Sequence, residues 1–188
     1  MYRSCFKRLI DFVVAFVALL VLSPILIIVT IWLHYANKGS GAFFLHSRAG
    51  WHNKIFKVIK FKTMTDERDA EGNLLPDGQR LTKVGRFVRS TSLDELPQLF
   101  NVLKGDLSMV GPRPILPQES KFNRNKTALL HSVKSGVTGL WQVSGRSNLS
   151  FEERIELELF YAQNWSFWLD IKILFKTVAV VLRKTGAK

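Results

Sequence analysis

FVVAFVALLVLSPILIIVTIWL, residues 12–33, carries no charged side chain from end to end. As one straight α-helix it would run roughly 33 Å, enough to span a bilayer. A secretory signal peptide is the competing reading, with Arg3, Lys7 and Arg8 as its basic region. The apolar stretch is too long for that, and no small-residue cleavage site follows. Pro24 stands near the middle. It has no N–H, so the carbonyl of Leu20 loses its helical partner and the ring pushes the chain toward a kink. Ser23 can bond back to the preceding turn and cover the exposed backbone.

Charge lies on both sides of this run. Arg3, Lys7 and Arg8 precede it; Lys38, Arg48, Lys54, Lys57, Lys60 and Lys62 follow. Positive flanks favour the cytoplasmic side, and a spanning helix must put one of these flanks outside. A segment that enters, bends at Ser23-Pro24 and leaves by the same face puts neither outside. The expectation is therefore a re-entrant membrane helix broken at Ser23-Pro24, with residues 1–36 as the anchor and residues 37–188 as one domain on the side of entry. Basic residues beside the anchor would also meet anionic lipid headgroups.

The whole chain agrees with that division. Its 188 residues suffice for one domain with a core. The net charge of +12, from 27 basic and 15 acidic residues, points to an anionic partner. No helix-turn-helix, zinc-finger or RNP-like pattern appears, which argues against nucleic acid. The single cysteine, Cys5, excludes an internal disulfide, and His34, His46, His52 and His131 lack zinc-ligand spacing.

Beyond the turn-rich 37–41, Phe43–Ser47 and Ile55–Thr63 read as two strands. On the second, Phe56, Val58, Lys60 and Lys62 share one face, which ends in two ammonium groups. Residues 66–80 form a polar surface loop that could fold over a site. A helix is expected from Ser92–Asp94 to Lys104, stopped by Gly105. Ser150 and Glu153 form a capping-box pattern that opens a helix to about Asn164. A last helix, roughly Phe167–Lys184, carries Phe167, Trp168, Ile171, Leu174, Phe175 and Val178 on one stripe, suited either to a core or to a membrane surface. The fold class is α+β: mainly helical, with a small β-hairpin.

The densest chemistry lies in RFVRSTSLDELPQLFNVLKGDLSMVGPRP, residues 86–114. Asp94 and Glu95 are adjacent acids in a first helical turn. Ser92-Leu93-Asp94-Glu95 is itself a capping-box pattern, so the pair has a purely structural reading. Its surroundings supply another. Arg89 lies upstream, Arg113 follows between two prolines, and guanidinium forks match phosphate oxygens. A carboxylate among phosphate-binding groups can accept a phosphoryl group. Two carboxylates can also hold Mg²⁺.

KFKTM (60–64), RSTSLDELPQLFNVLKGDLSMVGPRP (89–114) and GVTGLWQVSGRS (136–147) closely resemble the bacterial sugar transferase family. The short length and Ser23-Pro24 resemble its small monotopic phosphoglycosyl transferases, the PglC type. The resemblance implies a two-step reaction at the cytoplasmic face of the bacterial inner membrane. Asp94 would attack the sugar-linked phosphate of a UDP-sugar, and polyprenyl phosphate would then take the phospho-sugar. Glu95 would assist as a Mg²⁺ or proton-handling group. Lys60, Arg89 and Arg113 would bind phosphates, and Gly145 and Arg146 would lie near the nucleotide or sugar. A homo-oligomer is compatible with it. Two segments depart from the family pattern. Arg48-Ala49-Gly50 and Lys134-Ser135-Gly136 stand where relatives often carry Arg-Pro-Gly, which bears on substrate affinity or sugar choice. A silent membrane-anchored scaffold of the same fold, and a peripheral binder of acidic lipid, are the rival readings; the intact Asp94-Glu95 dyad argues against the first, and the second leaves that dyad and Pro112-Arg113-Pro114 unexplained.

Overall fold

The computed structural model describes residues 2, 6–118, 128–145 and 148–182. Its longest element is α1 (Lys7–Ala36), 30 residues of uninterrupted helix with Pro24 inside it. The break expected at Ser23-Pro24 thus takes the form of a missing backbone N–H at Pro24, not of a gap in the helix. Ser23 Oγ donates to Leu20 O at 2.8 Å, which covers that carbonyl. The helix is long and apolar enough to cross a membrane.

Both halves of α1 pack on the same body. Ala15 and Leu19 are buried against Leu99, Val102 and Leu107. Val29 and Leu33 are buried against Ala42, Phe61 and Val88. Polar ties extend the attachment to both ends. The Arg8 guanidinium donates to the carbonyls of Val102 and Leu103. Asp11 Oδ1 accepts from the Met109 N–H at 3.0 Å. Asn37 Nδ2 donates to Gly41 O at 2.8 Å and Lys62 O at 2.6 Å. The opposite face, including Phe16, Leu20, Ile27 and Ile31, is exposed.

β1 (Phe43–Ala49) and β2 (Ile55–Phe61) form an antiparallel hairpin in which Phe44 pairs with Lys60 and Arg48 with Phe56. β1 runs two residues beyond the expected end, and β2 stops two residues short. The 66–80 segment is more ordered than a plain surface loop. It holds a short turn, α2 (Asp77–Arg80), and the bridge Arg68–Leu74. α3 (Lys83–Ser90) follows, capped by Thr82, whose Oγ1 accepts from the Gly85 N–H at 2.9 Å.

The single helix expected from Ser92 to Lys104 is two pieces. Leu93–Glu95 is a 3₁₀ turn, and α4 (Gln98–Lys104) begins after Pro97 and ends at Gly105 with φ +91°. The division has a local cause. Ser92 is left-handed, with φ +56°, and its side chain makes no cap bond. Asn101 fixes α4 to the hairpin: its Oδ1 accepts from the Ile59 N–H at 2.9 Å and its Nδ2 donates to Lys57 O at 2.8 Å. It is fully buried and serves β2 as a neighbouring strand would.

β3 (Ser108–Val110) and β4 (Gly136–Thr138) form a second, parallel pair. A Cβ on Gly136 would meet Gly111 N at 2.1 Å, so only glycine admits this approach. α5 (Phe151–Asn164) opens with the expected capping box at Ser150 and Glu153. α6 (Phe167–Leu182) buries Asp170 and Ile173 and exposes Trp168, Phe175 and Val178. The stripe read from the sequence therefore divides: its large aromatic members face outward. Buried Asp170 accepts from Tyr161 Oη at 2.6 Å and also from Tyr2 and Lys7, tying α5 and α6 to the start of α1.

Candidate active site

A cavity of about 720 Å³ opens between the hairpin, the α2 segment, the end of α3 and the Leu93–Glu95 turn. Lys60, Arg89, Asp94, Glu95 and Arg113, the residues singled out in sequence, all line it. β2 delivers Lys60, α3 delivers Arg89, and the loop after β3 delivers Arg113. The Asn101 lock on β2 sets the distance between Lys60 and the acidic turn: Lys60 Nζ lies 2.7 Å from Glu95 Oε1.

The capping role of the acidic pair is not realised. The Ser92 side chain makes no cap bond to the turn, and the Glu95 carboxylate reaches across to Lys60. The charges around the cavity then sort into pairs. Lys60 holds Glu95, Lys62 holds Asp66, and Arg80 holds Asp77. Among the described residues Asp94, Arg89 and Arg113 make no ion pair. Arg89 Nε donates to Thr63 Oγ1 at 2.8 Å, which aims the guanidinium without neutralising it. One acid and two arginines are thus left for a ligand.

Asp94 is correspondingly perturbed. Burial raises its carboxyl from the ordinary 3.8 to about 6, and the charge of Glu95 pushes the same way, while Lys60 and Arg89 oppose the shift. A carboxylate so placed is poorly solvated and close to the cations of Lys60 and Arg89, a setting suited to nucleophilic attack on phosphorus. His46, also on the cavity wall, is held below its ordinary value by burial and by Arg48, Lys60 and Arg113. At neutral pH it adds a neutral ring, not another cation.

The acidic pair also bears on a metal. No group of three or more His, Cys, Asp and Glu side chains suited to a metal occurs among the described residues. An all-protein cage is therefore absent there. Two crowded carboxylates do fit Mg²⁺, which commonly takes one or two carboxylates and completes its shell with substrate phosphates and water.

Other expectations fall elsewhere. Gly145 does not line the cavity; a Cβ there would meet Leu149. Arg146 lies outside the described residues. The same segment contributes Trp141 and Gln142 to the wall instead. His46, Thr63 and Arg80 were also missed. Thr63 stood inside the KFKTM block, and Trp141 and Gln142 inside GLWQ, so the motif blocks held the signal even though the residue types did not. Lys134, one of the two departures, is a structural group: its Nζ donates to Gly105 O at 3.0 Å, at the end of α4, and lies 5.2 Å from the Trp51 ring. Ala49 is buried, and its N–H donates to Ile115 O at 2.9 Å, a bond proline could not make.

A half-buried carboxylate sharing a cavity with two arginines that make no ion pair among the described residues, on an α+β body bearing a long apolar helix, is an arrangement suited to group transfer on phosphate at a membrane. Comparison with known proteins places the molecule further. The family model for bacterial sugar transferases matches residues 2–184, and the chain belongs to that family. It is 51% identical over 180 residues to the uncharacterized sugar transferase EpsL of Bacillus subtilis, covering 96% of this chain and 89% of that protein. It is 41% identical over 198 residues to the undecaprenyl-phosphate galactose phosphotransferase of Salmonella typhimurium, covering 96% of this chain. It is 43% identical over 183 residues to the UDP-glucose:undecaprenyl-phosphate glucose-1-phosphate transferase of Klebsiella pneumoniae, covering 92% of this chain. The chain spans only 41% and 39% of those last two proteins.

Proposed function

We propose that the protein transfers a phospho-sugar from a UDP-sugar to polyprenyl phosphate at a membrane surface, as the first lipid-linked step of a glycoconjugate. The observation that carries this is Asp94, outside any ion pair among the described residues, lining one cavity with Arg89 and Arg113. Family membership supports it, as do the printed activities of the Salmonella and Klebsiella relatives.

In the first half-reaction an Asp94 oxygen attacks the sugar-linked phosphorus. The bond from that phosphorus to the bridging oxygen breaks, and UMP leaves with the bridging oxygen. A phospho-sugar remains on the carboxylate as an acyl phosphate. In the second, an oxygen of polyprenyl phosphate attacks the same phosphorus and the Asp94 carboxylate departs, giving a polyprenyl-diphosphate-sugar. Arg89 and Arg113 bind the phosphate oxygens, and Lys60 holds Glu95 in place. Asp94 and Glu95 would hold Mg²⁺ together with the diphosphate, and the ion would supply charge neutralisation there.

The lipid acceptor requires a site at the membrane. Both halves of α1 are tied to the body, from Arg8 and Asp11 to Leu33 and Asn37. A helix crossing the bilayer would carry one of these sets away from the domain. This supports a re-entrant path with the domain on the cytoplasmic face of the inner membrane. The outward aromatics of α6 would rest in the same interface.

The test is UMP release. Purified protein with Mg²⁺, undecaprenyl phosphate and a panel of UDP-sugars should release UMP, and Asp94→Asn should release none. UMP from the variant at the native rate would remove Asp94 as the nucleophile. No UMP from native protein across a broad panel would favour a binding scaffold.

A further inference from the structure

Arg113 is held in a way that differs from the other cations of the cavity. Lys60, Lys62 and Arg80 are each fixed by a carboxylate. Arg113 is fixed by its backbone and by an aromatic ring. Its N–H donates to Glu158 Oε1 at 2.9 Å, and its guanidinium carbon lies 5.5 Å from the centre of the Trp141 ring. The neighbouring backbone is tied as well: Gly111 N donates to Thr138 O and Gly136 N to Pro112 O, both at 2.9 Å. Trp141 is in turn held by Arg154, whose guanidinium carbon is 5.0 Å from the same ring.

Two features of this frame bear on how Arg113 is presented. The acceptor of its backbone N–H is a glutamate that is 1% exposed, and a buried carboxylate is a stronger acceptor than a neutral carbonyl, so it holds that stretch of backbone firmly. Cation–π contact also differs in kind from an ion pair. It orients a guanidinium while leaving its N–H donors and full charge for another acceptor.

We propose that Trp141 and Glu158 are positioning residues for Arg113, the carboxylate holding its backbone and the indole its guanidinium, so that its charge stays available to the diphosphate of the donor. The inference rests on the reading of the cavity as a UDP-sugar site, and its test does not require turnover.

UDP affinity of the full chain, measured by calorimetry, gives the readout. Trp141→Leu and Glu158→Leu should each weaken UDP binding about tenfold. Trp141→Phe and Glu158→Gln keep the ring and the acceptor, and should restore most of that loss. In an Arg113→Ala background, Trp141→Leu and Glu158→Leu should add almost nothing, because each acts through Arg113. Losses that add in full in that background would overturn the proposal, as would failure of both conservative variants to restore binding in folded protein. Native protein that binds UDP but releases no UMP would sink the transfer reaction and leave this cycle readable. Native protein that does not bind UDP would overturn the frame's purpose.

Discussion

At the scale of the residue, Asp94 and its neighbours decide the chemistry. The proposed nucleophile, Asp94, must be ionised to attack, and burial pushes its carboxyl up from 3.8 to about 6. The kcat/KM for the UDP-sugar, which reports the free enzyme, should therefore rise with pH through about 6 and level above it. A rate already flat from pH 5 upward would contradict this assignment. The same shift has a cost in stability. A carboxyl whose folded value lies above its unfolded value stabilises the fold below 3.8 and loses that contribution as pH rises through about 6. Asp94→Asn should thus be more stable than native protein at pH 7–8, by roughly 1–3 kcal/mol without ligand, with the difference vanishing near pH 3. Paired thermal unfolding curves at the two pH values check it. The acids were legible in sequence as a pair, but their role was not. Ser92-Leu93-Asp94-Glu95 matches a capping box, and only the left-handed Ser92 and the Lys60 partner across the hairpin remove that reading.

At the scale of the element, α4 is the part that brings separate motifs together. Asn101 replaces a missing strand neighbour for Ile59 and Lys57. Asn101→Leu leaves the half-buried Ile59 N–H and Lys57 carbonyl without their Asn101 partners, and should destabilise the fold by about 1–3 kcal/mol. Chemical denaturation measures this, and a loss below about 0.5 kcal/mol would contradict the bonding described. The expected helices at 150–164 and from Phe167 were legible because a capping box and a long apolar stripe are local signals. α3 was missed: its eight residues, KVGRFVRS, carry five polar or glycine positions and too short a period to detect. The parallel β3–β4 pair was missed because each strand has only three residues and the pairing joins segments far apart in sequence. Gly145 was placed near the ligand by family resemblance alone; no feature of its own residue type pointed there.

At the scale of the whole molecule, one apolar helix and one charged cavity share a body, so a lipid phosphate and a water-soluble nucleotide-sugar can meet. Cysteine labels near Lys7 and Asn37, with Cys5 replaced, should react only from the cytoplasmic side. Reaction of either end from outside would mean a spanning helix. Trp168→Ser with Phe175→Ser should weaken binding to anionic vesicles when α1 is anchored in detergent-free nanodiscs of low lipid content. An unchanged partition would argue that the outward face of α6 does not touch lipid. The two half-reactions proposed at Asp94 imply that the donor can load the protein before any acceptor arrives. Intact-protein and peptide mass spectrometry after incubation with UDP-sugar and Mg²⁺, without polyprenyl phosphate, tests this most directly. The account predicts a phospho-sugar adduct on the peptide containing Asp94, discharged on adding polyprenyl phosphate. An unmodified peptide under conditions in which full turnover proceeds would contradict it.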